Sequence, residues 1–150
     1  MIYLWSLFVI LFDQLSKIIV LDKCVEHETM EIFPLFNLFL TFNRGVSFSL
    51  LTSDSAYAPM LLSAFTLVVA GLLIYWIQKE KNKMAKVGLA LILGGALGNV
   101  IDRIRFGAVV DFLDFYLGEY HWPAFNIADS AICIGVAILL LSSFKKGEKK

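Results

Sequence analysis

Charged residues are scarce in this chain of 150 residues, of which 17% are charged and 59% hydrophobic. The 13 basic and 13 acidic side chains give a formal net charge of +0, so the chain has no basic footprint for nucleic acid. It has two cysteines, Cys24 and Cys133, and neither belongs to a metal-binding pair or a disulfide framework. Two histidines are too few for a histidine-rich metal site. We therefore expect no metal, no other cofactor and no nucleic-acid partner.

The mean hydropathy of +0.76 is instead typical of an integral membrane protein. The sequence predicts four membrane spans in one domain that covers residues 1–150, at about 1–21, 58–77, 87–101 and 128–144. The first apolar run has neither a basic leading region nor a small-residue cleavage site. It is therefore predicted to be a retained span and not a cleaved signal peptide.

The distribution of lysines predicts the orientation of these spans. Segments 78–86 and 145–150 are short and rich in lysine, which is typical of cytoplasmic loops. Both termini are then cytoplasmic, and segments 22–57 and 102–127 lie outside. Within the first outer segment, alternation over 36–42 predicts a strand, followed by a turn at 43–45 and a return strand at 47–50. Its aromatic content predicts a small sheet on the membrane surface.

Two aspartates lie at the edges of apolar runs, where a carboxylate is costly to place. Asp111 and Asp129 could form a pair that shares a proton and hydrolyses an amide without a metal. Asn126 is a predicted N-cap that puts Asp129 in the first turn of the fourth span, where the helix favours an anion. The hypothesis is that Asp111 holds the proton. Alternatively, Asp129 only stabilises the start of the helix, or Asp114 takes the place of Asp111.

Other polar residues interrupt the spans at defined spacings. Asp13 and Lys17 are four residues apart and share one helix face, as a neutralised pair or as support for a nearby site. Gly94 and Gly98 have the spacing that permits close approach of another helix. The predicted topology brings the main intramembrane polar residues to one leaflet boundary: Asp13, Lys17, Asn99, Asp111 and Asp129.

Five separated blocks of the chain resemble, in order, those of bacterial lipoprotein signal peptidase, also called signal peptidase II. The blocks are DQLSK at 13–17, NRGVSF at 43–48, GGALGNVIDR at 94–103, GAVVDF at 107–112 and FNIAD at 125–129. The resemblance implies a membrane all-α bundle of four transmembrane helices. It also implies a small extracytoplasmic β-sheet cradle and a short extracytoplasmic helix within 102–127.

The same resemblance implies an aspartic endopeptidase of the bacterial cytoplasmic membrane with its active site at the outer leaflet. Its substrates would be diacylglyceryl-modified prolipoproteins, which it cuts just before the lipidated cysteine. The other implied partners are membrane lipids and inhibitors of the globomycin type. The implied site consists of the catalytic pair Asp111 and Asp129, the substrate-binding residues Asn43, Asn99, Arg103 and Asn126, and the supporting residues Asp13 and Lys17.

The main alternative is a small membrane transporter or channel subunit, in which Asp13, Lys17, Asp111 and Asp129 form an ion or proton path. It would require polar residues through the midplane of several helices, and the second and fourth spans have few. A lipid phosphatase that uses Arg103 and Arg105 would normally place a histidine near them. A non-catalytic assembly factor would leave the aspartate pair unexplained.

Overall fold

The computed structural model describes residues 1–45 and 57–147, without the side chains of 145–147. The described elements are helices α1 (Tyr3–Lys23), α2 (Ala58–Lys79), α3 (Lys83–Phe106) and α4 (Ile127–Gly147), and strands β1 (Thr29–Phe33), β2 (Phe36–Asn43), β3 (Val109–Leu117) and β4 (Tyr120–His121). Each helix contains a stretch long and apolar enough to cross a membrane, which confirms the four predicted spans. The predicted return strand at 47–50 lies outside the described residues.

Helix α3 is longer than the predicted span at both ends. The side-chain oxygen of Asn82 accepts hydrogen bonds from the backbone N–H groups of Met84 and Ala85, so the helix begins with a cap before the apolar run. It ends at Gly107, which has a φ of +68° and donates its N–H to the carbonyl of Arg103 at 3.0 Å. Asp102 and Arg103 therefore lie in the last turns of α3, although the predicted span stops at residue 101.

The bundle is arranged around α3, which packs against each of the other three helices. Close approach depends on its glycines. A Cβ at Gly94 would lie 2.7 Å from the Ser6 carbonyl oxygen of α1, and one at Gly98 would lie 2.8 Å from Asp13 Oδ2. The predicted close helix approach at these two glycines is confirmed. The opposite faces of the outer helices expose large apolar side chains, which fits contact with lipid.

The four strands form one antiparallel sheet in the order β1-β2-β3-β4. The strand predicted over 36–42 is confirmed as β2, whose partners are β1 and β3. The prediction of a short helix within 102–127 is wrong, because those residues complete α3, form β3 and β4, and begin α4. The start of β3 is rich in β-branched and aromatic residues that pack as a strand against α1 and β2.

A small apolar cluster fixes the sheet to the outer end of the bundle. It joins Val20 of α1, Leu40 of β2, and Val110 and Phe112 of β3, and each is at most 4% exposed. Val110 follows closely on the end of α3, so β3 leaves the bundle directly from that helix. The result is a rigid connection between the helices and the first residues of β3, where Asp111 lies.

Candidate active site

Asp111 lies near the start of β3, opposite Thr41 of β2, and is only 2% exposed. Each of its carboxylate oxygens accepts a hydrogen bond from a side-chain amide. Asn43 Nδ2 donates to Oδ2 at 3.1 Å, and Asn126 Nδ2 donates to Oδ1 at 2.7 Å. Asn43 Oδ1 accepts the backbone N–H of Gly45 at 2.9 Å, which turns the Asn43 amide nitrogen toward the carboxylate.

The environment of Asp111 favours its protonated form. Burial raises the pKa of its carboxyl group, and the charge of Asp129 raises it further. The hydrogen bonds from Asn43 and Asn126 and the charge of Lys17 act in the opposite direction. The net result is a pKa of about 6, so this carboxyl group can hold or release a proton near neutral pH.

Asp129 is held at the start of α4 by the cap predicted from the sequence. Its backbone N–H donates to Asn126 Oδ1 at 2.9 Å, and its own Oδ2 accepts the backbone N–H of Asn126 at 3.4 Å. This reciprocal pair is a capping box, and the helix N-terminus favours a negative charge there. Asn99 Nδ2 donates to the other oxygen, Oδ1, at 2.8 Å.

Two asparagines link the carboxylates to each other. Asn126 Nδ2, which donates to Asp111, also lies 3.2 Å from Asn99 Oδ1, and Asn99 in turn donates to Asp129. A continuous path of side-chain amides therefore runs from one aspartate to the other. Asp111 and Asp129 are also close enough for the charge of one to affect the other. Such a pair is suited to sharing one proton.

A buried ionic cluster, which we call the Lys17 network, lies beneath this pair. Its members are Asp13, Gln14, Lys17 and Asp102. Lys17 Nζ lies 2.8 Å from Asp13 Oδ2, 2.6 Å from Asp102 Oδ2 and 3.3 Å from Asn99 Oδ1. Gln14 Nε2 donates to Asp13 Oδ2 at 3.1 Å and to Asp102 Oδ1 at 2.9 Å. The three charged side chains are at most 2% exposed.

The carboxylates of the Lys17 network hold the backbone next to each member of the candidate pair. Asp13 Oδ1 accepts the N–H of Ala128 at 2.9 Å, and Asp102 Oδ2 accepts the N–H of Val110 at 3.1 Å. Ala128 and Val110 immediately precede Asp129 and Asp111. Asp102 was not among the residues predicted for the site, although its position three residues after Asn99 places both on one face of α3.

Arg103 is the one predicted site residue whose side chain makes no hydrogen bond or ion pair with another residue in the described parts of the chain. It is half-buried and lines a cavity of about 320 Å³ with Pro59 and Ser63 at the start of α2. Its charge is near enough to interact with Asp111 and Asp129. The guanidinium group is thus close to the pair without being engaged by it.

An open groove of about 590 Å³ runs over the sheet from Asp111. Its lining includes Thr41, Asn43, Arg44, Asp114, His121 and Trp122. No serine or cysteine is found among the described residues that line it. A groove with aromatic and polar walls, beside the buried Asp111 and the half-buried Asp129, is suited to an extended peptide whose backbone amide is attacked by water.

Comparisons with known proteins agree with this geometry. A family model described as signal peptidase (SPase) II matches residues 5–145. The lipoprotein signal peptidase of Alteromonas mediterranea is 44% identical over 99% of this chain and 83% of its own length. That of Vibrio vulnificus is 44% identical over 99% and 91%. A solved bacterial membrane enzyme superimposes with a TM-score of 0.85 at 32% identity, covering 98% of this chain and 89% of the other.

Proposed function

The chain belongs to the signal peptidase II family, and we propose that Asp111 and Asp129 are its catalytic pair. It is an aspartic endopeptidase of a bacterial membrane that removes the signal peptide from diacylglyceryl-modified prolipoproteins, cutting before the lipidated cysteine. Family membership argues against the transporter or channel alternative. The observation that carries the site assignment is the path of amides from Asp111 through Asn126 and Asn99 to Asp129.

The proposed mechanism gives the two carboxylates different protonation states. Asp129, at the helix N-terminus, is ionised and removes a proton from a water molecule, whose oxygen attacks the scissile carbonyl carbon. Asp111 is protonated and donates a hydrogen bond to the carbonyl oxygen as negative charge develops there. When the C–N bond of the tetrahedral intermediate breaks, a proton passes to the departing amine, which becomes the new N-terminus. The pKa of about 6 for Asp111 supports this assignment.

The contacts support a division of roles among the other predicted site residues. Asn43, Asn99 and Asn126 line the site, and each donates an amide N–H to Asp111 or Asp129. We propose that they orient the pair as well as contact substrate. Arg103 has an uncommitted guanidinium group beside the pair, so it is the best placed to bind a peptide carbonyl by a charge-assisted hydrogen bond. Asp13 and Lys17 support the site from below.

The membrane arrangement is part of the same proposal. The lysine-rich segments at 78–86 and 145–150 support cytoplasmic termini and an active site at the outer leaflet. A lipidated precursor is confined to the bilayer, so a cleavage site at that boundary can reach it. Membrane lipids and the acyl chains of the substrate would occupy the apolar surfaces between helices. Inhibitors of the globomycin type would compete for the groove and the catalytic pair.

Single substitutions of the pair test the assignment. Asp111→Asn and Asp129→Asn should each abolish cleavage of a purified, diacylglyceryl-modified precursor, and the double variant should be no worse, because the two act as a unit. Asp22→Asn is the matched control, since that carboxylate is 70% exposed at the end of α1. Normal cleavage by a well-expressed Asp111→Asn or Asp129→Asn variant would remove that residue from the catalytic pair.

A further inference from the structure

His121 and Asp114 form a second polar pair in the groove, separate from the catalytic pair. The Asp114 carboxylate is 5% exposed, and both of its oxygens lie 2.9 Å from His121 Nδ1. Asn37, its cross-strand partner on β2, donates Nδ2 to Oδ2 at 3.2 Å. The imidazole is 51% exposed, and it stacks on Tyr116 with a centroid distance of 5.2 Å and an interplanar angle of 16°.

These contacts determine which nitrogen of His121 can meet a ligand. An ionised carboxylate only accepts hydrogen bonds, so the proton must lie on Nδ1 and point to Asp114. The Nε2 atom of the neutral ring is then an acceptor. No described residue donates a hydrogen bond to Nε2, and the ring lines the groove that also contains Asp111. Stacking and the buried carboxylate together hold this acceptor in one place, as an organised binding group requires.

The direction of β3 relates this acceptor to the substrate. The strand starts from the end of α3 and becomes exposed toward its far end, so Asp114 lies three residues farther along β3 from the helices than Asp111. Three residues of strand span about 10 Å, which is also the reach of about three residues of an extended peptide. A chain cut beside Asp111 has its signal segment in the bilayer and its mature segment leading outward. The mature segment is therefore the part that can reach His121.

We propose that His121 is a specificity-determining residue whose Nε2 accepts a hydrogen bond from the mature side of the substrate, about three residues after the lipidated cysteine. The preferred residue there is a small hydrogen-bond donor such as serine. Asp114 is a positioning residue that fixes the tautomer of His121. This inference rests on the proposed function, because it takes the cut to occur beside Asp111.

The test uses the full-length enzyme in detergent micelles and two synthetic diacylglyceryl lipopeptides. They differ only in the third residue after the cysteine, serine in one and alanine in the other. The unaltered enzyme should cleave the serine peptide with a kcat/KM about fivefold higher, mainly through a lower KM, as expected for one neutral hydrogen bond. In His121→Phe, which keeps an aromatic ring for Tyr116, the two peptides should be cleaved equally well.

The other histidine supplies the matched control. His27 is exposed, does not line the groove and has a φ of +63°, which asparagine tolerates. His27→Asn should retain the full serine preference. A second measurement moves the serine along the peptide, one position at a time, and uses the unaltered enzyme. It keeps the test valid if His121→Phe folds poorly, because the preference for serine should be greatest about three residues after the cysteine. Equal kcat/KM values for both peptides in the unaltered enzyme overturn the inference and leave the catalytic pair intact. Failure to cleave either peptide contradicts the proposed function itself.

Discussion

Replacing Lys17 with methionine should destabilise the protein strongly, because it removes the only positive charge from the Lys17 network. Asp13 and Asp102 are both 0% exposed, and their carboxylates lie 2.8 and 2.6 Å from Lys17 Nζ. Breaking a buried pair by removing one partner destabilises a protein by about 3–5 kcal/mol, since an uncompensated charge remains. For a chain of this size that corresponds to a fall in Tm of about 10 °C. Thermal unfolding of the purified unaltered protein and of Lys17→Met, in the same detergent, measures this fall in Tm.

The comparison variant for Lys17→Met is Lys23→Met, since Lys23 also pairs with an aspartate on α1. The Lys23 side chain is 69% exposed and lies 3.1 Å from Asp22 Oδ2. An exposed pair of this kind contributes little, so Tm should hardly change. Adding Asp102→Asn to Lys17→Met should restore part of the lost stability, because one buried charge fewer is left unpaired. Equal Tm values for Lys17→Met and Lys23→Met would refute the predicted loss of stability in Lys17→Met.

Two further predictions concern the protonation of Asp111 and the orientation of the chain. If protonated Asp111 is the working form, kcat/KM should fall as pH rises through about 6. The Asn43 hydrogen bond lowers the pKa of Asp111, so Asn43→Ala should move this decline to higher pH; a shift to lower pH would contradict the assignment. In a protein without Cys24 and Cys133, a cysteine at Lys81 should resist a membrane-impermeant thiol reagent in intact cells, and one at Glu119 should react. Labelling at Lys81 alone would reverse the proposed topology.

Patterns that are local in the sequence predicted the corresponding structure well. The four spans follow from length and hydropathy, and strand β2 follows from alternation. The cap joins Asn126 and Asp129, which are three positions apart, and its hydrogen bonds are those that this spacing implies. Gly94 and Gly98 also marked a close helix contact, although the sequence alone did not identify α1 as the partner. Each of these features depends on residues within one continuous stretch of the chain.

Features that depend on distant residues were missed or misread. The first six residues of β3 are mostly buried on both faces, so they lack the alternation that identifies a half-exposed strand. The resemblance implied a short helix somewhere within 102–127, and the structure has strands β3 and β4 there instead. The role of Asp102 was missed, because nothing nearby in the sequence shows that Lys17 on α1 neutralises it. The role of Gln14 was missed as well. It binds both carboxylates of the Lys17 network, and one of them, Asp102, is 88 positions away in the sequence.

The proposed catalytic pair is held in position by the helices as well as by the sheet that carries Asp111. Asp111 and Asp129 lie on different elements, and the segment that joins β3 to α4 contains only the two-residue strand β4. That segment is itself bound to β3, because the carbonyl of Phe125 accepts the N–H groups of Phe112 and Leu113 at 3.0 and 2.8 Å. In addition, Asp13 on α1 and Asp102 on α3 hold the backbone N–H groups of Ala128 and Val110, and Lys17 holds those two carboxylates together. A buried ionic cluster is a poor source of stability compared with apolar packing. Its hydrogen bonds to the residues just before Asp111 and Asp129 support the proposal that it preorganises this pair.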